Sequence, residues 1–263
     1  MKKINLTKEE LDSLIKKNYR VNKDSGYVSN TGSYGMVLPY EGKLGLKLLA
    51  PLAVKGYFDE EALEENMNPY YLISPRQIEY LSEKQSKIKL SSLPKGVAYY
   101  KDKPVAIILK YFNNHKNLLE LYNEDSTVII SILEKVLYSV KELMENDIYQ
   151  MDVKESNFLY SKLDYKVEPI DLDGPLIKVA HNDIMREEII YENILEMFAF
   201  LIKQKLNNLL NNNELNTDEY NERLAYIKEL KSGIYIYESL ILYLKEVKKN
   251  NILEKSKKYI KQK

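Results

Sequence analysis

The hydrophobic pattern changes once along this chain, and that change constrains the fold more than any other feature. Residues 19–49 alternate apolar and polar positions between Gly and Asn residues, which is typical of hairpin strands, and residues 96–112 have the pattern of a second hairpin. From residue 127 onward, apolar side chains recur at helical spacing over 127–145 and again after residue 186. A strand-rich first part and a helix-rich second part, joined at 110–114, predict an α+β protein.

Turn and breaker residues divide these regions further. Hairpin turns are predicted at 41–43 (Glu-Gly-Lys) and at 101–103 (Lys-Asp-Lys), and a short hairpin is predicted over 163–175. Helical patterning over 59–68 and 75–90 predicts two helices between the hairpins of the first part. The uninterrupted apolar run Val105 to Leu109 is expected to be a buried strand.

The two ends of the chain carry separate signals. Thr7 and Glu10 have the spacing of a capping box, so residues 1–18 are predicted to form an amphipathic N-terminal helix, free to dock a partner. The lysine-rich tail at 245–263 is expected to be a solvated helix face, with contact to a membrane or nucleic acid as the alternative.

Composition excludes several classes of function. Formal net charge is zero, so no nucleic-acid partner is expected, and the absence of cysteine removes disulfides, thiolate metal sites and cysteine nucleophiles. We find no signal-peptide pattern and no apolar run of the roughly 20 residues that would span a bilayer. These observations predict a cytoplasmic globular protein.

Two motifs in the first part fit phosphate binding. NTGSYGMV (30–37) places Gly32 and Gly35 between predicted strands, where a hairpin backbone can approach phosphate closely. Lys47 interrupts the apolar strand LGLKLL, and a lysine there is costly to bury unless it meets an anion. Each has a plain alternative, since the hairpin can be only a turn and the lysine can reach solvent from an edge strand.

Two further motifs in the second part bring hard oxygen ligands and a cation into loops. Asp152, Lys154 and Asn157 follow the predicted helix 127–145 within six residues, and Asp171 follows the apolar Ile170. A carboxylate can accept a proton from an attacking hydroxyl, a lysine can neutralise phosphoryl charge, and amide and carboxylate oxygens suit Mg²⁺. Taken singly, each segment is equally compatible with a polar surface loop.

The order of the four motifs resembles that of the protein kinase family over roughly residues 20–210. NTGSYGMV is similar to its Gly-x-Gly-x-x-Gly-x-Val loop, LGLK to Val-Ala-Ile-Lys, QMDVKESN to His-Arg-Asp-x-Lys-x-x-Asn and DLDG to Asp-Phe-Gly. The resemblance implies a bilobal kinase-like fold, with an N-lobe at 19–110, a C-lobe at 111–263 and ATP between them.

The resemblance also implies roles for particular residues. Asp152 and Lys154 would be catalytic, Asn157 and Asp171 would hold Mg²⁺, and Lys110, Tyr111 and Phe112 would form the hinge that reads adenine. The ATP-binding residues would be Gly32, Ser33, Gly35, Val37, Lys47, Glu79, Leu109, Lys110, Tyr111 and Leu159.

The chain departs from the family pattern at several positions. Gln150-Met151 stands where the family has His-Arg, and an arginine there usually grips a phosphate on the activation segment. The carboxylate partner of Lys47 is assigned to Glu79, with Glu83 or no residue as alternatives, because the helix phase puts Gln77 at the expected position. Only about fifteen residues separate Asp171 from the predicted helix that begins near residue 186, and they contain no Ala-Pro-Glu sequence.

Three functions follow from these features. The first is an ATP- and Mg²⁺-dependent Ser/Thr protein kinase, favoured by Lys154 two residues after Asp152. The second is a kinase that acts on the hydroxyl group of a small molecule, as aminoglycoside and choline kinases do, favoured by the short segment after Asp171. The third is a nucleotide-binding interaction module without catalysis, favoured by Met151 and the uncertain partner of Lys47.

Overall fold

The chain forms two compact units, Met1–Asn113 and Asn114–Lys263. The structure is a computed structural model, and it describes residues 1–18, 35–49, 52–53, 56–65, 74–172, 176–177 and 183–231.

A five-stranded mixed sheet is the centre of the first unit. Its strands are β1 (Lys2–Asn5), β2 (Gly35–Pro39), β3 (Leu44–Leu49), β4 (Gly96–Tyr100) and β5 (Lys103–Lys110). They lie in the order β1-β4-β5-β3-β2, in which β1 runs parallel to β4 and every other pair is antiparallel. β3 is therefore an internal strand, with β5 on one side and β2 on the other.

Both predicted hairpin turns are confirmed. Gly42 adopts a φ of 62° between β2 and β3, a conformation that costs glycine little because it has no Cβ. Lys101 and Asp102 have φ values of 47° and 62° and connect β4 directly to β5. Two positive φ values in a two-residue loop match the right-handed twist of the flanking strands.

The N-terminal segment belongs to the first unit. The helix α1 (Lys8–Asn18) opens with the predicted capping box, in which the Thr7 N–H donates to Glu10 Oε2 at 2.8 Å and the Glu10 N–H to Thr7 Oγ1 at 3.2 Å. Leu11 and Ile15 of α1 are part of the buried core, and Asp12 Oδ1 accepts the Phe58 N–H at 2.7 Å. The prediction of a free helix is therefore wrong.

Strand β1 was not identified from the sequence. It pairs with β4 from Lys2–Gly96 to Asn5–Tyr99, and this close approach requires a glycine at position 96. A Cβ on Gly96 would lie only 1.9 Å from the Lys2 carbonyl oxygen. The four residues of β1 are mostly exposed, so their sequence carries no alternation that would predict a strand.

Two helices between β3 and β4 fall within the described residues. They are α2 (Glu60–Glu65) and α3 (Pro75–Lys84), so the second predicted helix ends six residues before its expected end. Ser74 caps α3, since its side chain accepts the Gln77 N–H, and Ile78 and Leu81 are the buried residues of that helix. The core of the unit joins α1, the sheet and the segment around Phe58.

The second unit is mainly helical. Up to residue 231, where the described part ends, its helices are α4 (Ser126–Met144), α5 (Asp183–Asn211) and α6 (Thr217–Lys231), and the predicted break between the last two is present. The Asp125 side chain caps α4 by accepting the Thr127 N–H at 2.7 Å. The apolar face of α4 and that of α5 share one core, which includes Ile132, Val136, Val140, Ile190, Ile194 and Phe198.

Short strands of the second unit carry the loops between these helices. The strands β6 (His115–Asn117), β8 (Phe158–Ser161) and β9 (Val167–Pro169) form an antiparallel sheet in the order β6-β8-β9, so the hairpin predicted near 163–175 begins earlier in the chain. The strands β7 (Ile148–Tyr149) and β10 (Leu176–Ile177) form a separate antiparallel pair. The described part of this unit also contains the 3₁₀ helices Leu118–Asn123 and Glu155–Asn157.

The mixed α/β character predicted from the sequence is confirmed. None of the helices within the described ranges combines the length and the apolar composition needed to cross a membrane.

Candidate functional site

The segment that follows β7 brings three of the predicted residues into contact. Lys154 Nζ lies 2.6 Å from Asp152 Oδ2, and Asn157 Nδ2 donates to the main-chain oxygen of Asp152 at 2.8 Å and to Asp152 Oδ2 at 3.1 Å. Asn157 is buried, with only 6% of its surface exposed, whereas Asp152 and Lys154 face solvent. The buried amide therefore fixes the carboxylate, and the lysine meets that carboxylate at the surface.

The fourth predicted residue, Asp171, is joined to the same loop through its neighbour Ile170. The Ile170 N–H donates to the main-chain oxygen of Asn157 at 2.8 Å, which ties the end of the β8–β9 hairpin to the 3₁₀ turn. The pKa of Lys154 is raised above its usual value, chiefly by the hydrogen bond to Asp152 and in smaller part by the charges of Asp152, Asp171 and Glu155. Asp171 is thus close enough to act electrostatically on Lys154.

Three amide side chains outside the predicted motif residues connect this loop to its neighbours through main-chain carbonyls. Gln150 Nε2 donates to the Ile170 oxygen at 2.9 Å, Asn193 Nδ2 of α5 to the Met151 oxygen at 2.9 Å, and Asn117 Nδ2 to the Ser156 oxygen at 2.9 Å. The sequence does contain a signal for Asn193, because this polar residue lies between the apolar positions of α5. Gln150 was interpreted only as a departure from a motif.

The donor set of the loop fits Mg²⁺. Because Asn157 uses Nδ2 for both of its bonds to Asp152, its oxygen Oδ1 is the ligand atom that remains, and Asp171 adds a carboxylate. One or two protein oxygens together with substrate phosphates and water are the usual ligands of Mg²⁺. No group of three or more His, Cys, Asp or Glu side chains suited to a metal occurs within the described part of the chain, so a cage built from protein carboxylates alone is not present there.

In the first unit, the strand register brings four predicted ATP-binding residues to one face of the sheet. Val37 pairs with Lys47, Gly35 with Leu49, and Gly45 with Leu109. Since directly opposite residues point to the same side and alternate residues share a side, Gly35, Val37, Lys47 and Leu109 lie on a common face. Lys47 is half-buried on an internal strand, so the edge-strand explanation for this lysine is wrong.

Gly45 is a further residue of this face that the sequence analysis did not assign. A Cβ at Gly45 would lie 3.3 Å from the ring of Tyr111 and 3.4 Å from Val37 Cγ1, so the missing side chain lets these two residues approach each other. The Tyr111 N–H donates to the Lys43 oxygen at 2.8 Å, which occupies one of the main-chain donors of the predicted hinge.

Lys110, another predicted hinge residue, has a side chain with its own partners. Its Nζ donates to Ser91 Oγ at 2.7 Å and lies 4.8 Å from the centre of the Phe112 ring. These contacts hold the ammonium group within the first unit. Any adenine contact by Lys110 would therefore come from its main chain.

Glu79 lies on the solvent side of α3. Its side chain is exposed, whereas Ile78 and Leu81 are buried and Gln77 is half-buried. The helix thus directs residue 77, rather than residue 79, toward the edge of its buried face. The pairing of Glu79 with Lys47 stays a prediction.

The remaining predicted residues fall in other places. Leu159 is half-buried on β8 in the second unit, where it pairs with Glu168 of β9. Gly32 and Ser33 lie outside the described residues, as do Asp173 and the basic tail at 245–263.

Comparison of the chain with models of known protein families and with curated proteins finds no match to either.

Proposed function

We propose that this protein is an ATP- and Mg²⁺-dependent phosphotransferase that transfers the γ-phosphoryl group of ATP to a hydroxyl group. The observation that carries the proposal is the set of contacts made by buried Asn157. Its side-chain amide donates to Asp152 and holds that carboxylate, and its main-chain oxygen accepts the N–H of Ile170, the residue before Asp171. An acid, a cation and two oxygen ligands within one fixed loop are the parts that phosphoryl transfer requires.

The chemistry assigns one role to each side chain. The acceptor oxygen forms a bond to the γ-phosphorus, the bond between that phosphorus and the β–γ bridging oxygen breaks, and ADP leaves with the bond's electron pair. Asp152 orients the acceptor hydroxyl and takes its proton. Lys154 is bound to Asp152 by an ion pair whose members are 48% and 63% exposed, so the pair is weak and its lysine can turn toward an incoming phosphate.

Asn157 and Asp171 are the residues that would hold Mg²⁺. When bound, the ion would neutralise charge on the phosphate oxygens. The protein's own part is to present an amide oxygen and a carboxylate in a fixed relation, and the hydrogen bond from Ile170 to Asn157 supplies that relation.

The first unit supports nucleotide binding by the common face of Val37, Lys47 and Leu109. Apolar side chains beside a lysine on an internal strand suit a ligand with a flat base and an anionic tail.

Two acceptor classes are proposed. Lys154, two residues after Asp152, supports a Ser/Thr side chain of a protein as the acceptor, and this is the leading proposal. The start of α5 at Asp183 leaves only residues 172–182 after Asp171, and this short segment supports a small-molecule hydroxyl as the second candidate. A non-catalytic nucleotide-binding module is the third candidate, favoured by Met151.

Transfer from γ-labelled ATP tests the proposal. Wild-type protein is incubated with Mg²⁺ and either protein acceptors, including itself, or a panel of aminoglycosides and amino alcohols. Asp152→Ala should abolish transfer while ATP binding remains, and Asp171→Asn should abolish transfer and weaken Mg²⁺-dependent ATP binding. Asp164→Asn, a change to an exposed turn carboxylate of the same unit, should leave both unchanged.

The outcomes separate the candidates. Label on protein acceptors supports the protein kinase, and label on a small molecule alone supports the second candidate. Mg²⁺-dependent ATP binding without transfer to any acceptor supports the non-catalytic module. An Asp152→Ala variant that transfers phosphate at the wild-type rate would refute the assigned mechanism.

A further inference from the structure

The peptide groups on both sides of Ile170 are held by the loop that contains Asp152. The Ile170 N–H donates to the Asn157 oxygen at 2.8 Å, and the Ile170 oxygen accepts from Gln150 Nε2 at 2.9 Å. Ile170 directly precedes Asp171, so two hydrogen bonds fix the point from which the Asp171 side chain projects. One of these bonds starts from a side chain, and a substitution can remove it without altering the main chain.

Glutamine at position 150 is energetically unfavourable if its only role is packing. It is 3% exposed, and its Oε1 has no hydrogen-bond partner among the residues that the structure describes. A buried amide oxygen without a partner is destabilising, and a methionine of similar size would avoid that cost. The compensating interaction of this side chain is the bond from Nε2 to the Ile170 oxygen.

Asp171 has a backbone conformation that needs such support. Its φ is 64°, in the left-handed region, which is unfavourable for a residue with a side chain. Conformations of this kind persist where the surroundings determine them. The two hydrogen bonds at Ile170 fix the main chain directly before Asp171 and so help to determine its conformation.

Phosphorylation of the segment after Asp171 does not offer another way of holding Asp171 in place. Residues 172–185, from Asp171 to the arginine at 186, contain no serine, threonine or tyrosine, and Met151 offers no cation to a phosphate. Alignment of Asp171 by phosphorylation within this segment therefore lacks both a hydroxyl acceptor and a receptor at position 151. Contacts of the unmodified chain have to achieve it.

We propose that Gln150 is a positioning residue that sets the carboxylate of Asp171 against the amide oxygen of Asn157. This role rests on the proposed function, because it concerns the residues that would hold the metal of a metal–nucleotide complex. Gln150 touches neither ATP nor the acceptor in this role, and it acts only through the Ile170 carbonyl.

Binding of Mn²⁺ in the presence of ATP, followed by electron paramagnetic resonance, tests the role without relying on turnover. Gln150→Met keeps the size of the side chain and removes the donor, and it should weaken Mn²⁺ binding about tenfold, as loss of a residue that orients a ligand commonly does. Gln150→His restores an N–H donor and should recover most of that loss. Binding of ATP without metal should stay unchanged in both variants.

A matched control exists in the first unit. Gln85 also donates from Nε2 to a main-chain oxygen, that of Leu90, so Gln85→Met makes the same chemical change away from the loop. It should bind Mn²⁺ and ATP as the wild type does. If Gln150→Met does not fold, Gln150→Asn replaces it, because its amide is one methylene too short to reach the Ile170 oxygen, and the same loss is expected.

Three results would overturn the role of Gln150: Mn²⁺ affinity unchanged in the donor-free variant, a loss that histidine does not recover, or an equal loss in Gln85→Met. Wild-type protein that binds no Mn²⁺–ATP would instead overturn the proposed function, and the role of Gln150 with it. Wild-type binding together with an unaffected Gln150→Met variant would overturn only the role of Gln150.

Discussion

The substitution Asn157→Asp separates the contribution of Asn157 to the loop from its contribution to a metal site. The change replaces Nδ2 by an oxygen of nearly the same size, so packing around this buried residue is kept. Both hydrogen bonds to Asp152 are lost, because a carboxylate donates neither. A carboxylate is nevertheless a good Mg²⁺ ligand, so the metal site should survive a change that damages the loop.

The size of the damage follows from the two lost bonds. A bond to a main-chain carbonyl is worth about 1 kcal/mol and a bond to a carboxylate about 2 kcal/mol. The new carboxylate also faces Asp152 Oδ2 across the 3.1 Å that the hydrogen bond now spans. Asp152 is 63% exposed, which screens part of that repulsion, and the rest adds to the two lost bonds, so we expect a total loss of at least about 3 kcal/mol of unfolding free energy at neutral pH.

The loss should depend on pH in a defined direction. A neighbouring like charge raises the pKa of the introduced carboxyl above its unfolded value. The variant is therefore more stable below that unfolded value of about 4, and it loses the difference as pH rises through the raised pKa. A protonated carboxyl can also donate to Asp152 again, so wild type and variant should differ least in mild acid.

Urea unfolding in the absence of metal, from neutral pH to mild acid, measures this difference. Asn117→Asp is the matched control, since Asn117 is half-buried and donates only one bond to the same loop, to the Ser156 oxygen. It should cost about 1 kcal/mol. An Asn157→Asp variant as stable as the wild type, or a loss that does not change with pH, would refute the geometry assigned to Asn157.

Two further predictions concern the fold. Gly96→Ala should detach the first strand, because the added Cβ would meet the Lys2 oxygen at 1.9 Å. Hydrogen exchange of the first six residues should then become fast. In the control Gly42→Ala the added Cβ meets no described atom within 4 Å, so this change should cost only the strain of its positive φ, about 1 kcal/mol. Burial and the hydrogen bond to Glu124 raise the pKa of Tyr160, so its contribution to stability is complete below about pH 10 and declines at higher pH. Tyr160→Phe should therefore flatten the alkaline limb of thermal stability, and an unchanged limb would contradict this assignment.

The features that the sequence predicts well are those decided within a few residues. The capping box of Thr7 and Glu10 needs only a spacing of three, and both of its hydrogen bonds are present. The turn at Gly42 and the break after Asn211 likewise depend on local conformational preferences. Such features are readable because the free-energy differences that select them arise between neighbours in the chain.

The features that the sequence does not reveal depend on distant partners. The first strand exists because Gly96, more than ninety positions away, leaves room for the Lys2 carbonyl, and neither segment indicates this alone. Gln150 meets the carbonyl of Ile170, which any residue at position 170 would provide. A side chain that binds the main chain leaves no pattern in the sequence of its partner.

The burial of Asn157 is the observation that distinguishes the proposed functional loop from an ordinary surface loop. An exposed pair such as Asp152 and Lys154 occurs on many protein surfaces and contributes little, so this pair alone would support neither explanation. A surface loop, however, gives no reason to bury an amide beneath an exposed carboxylate and to direct both of its hydrogen bonds at that one residue. Burying the amide is unfavourable unless its bonds are satisfied, and here they are used to hold an acid at the surface. The contacts of Asn157 therefore favour a loop that presents Asp152 to an external group. Within the pattern Asp-x-Lys-x-x-Asn, the last residue is the one that distinguishes the two explanations.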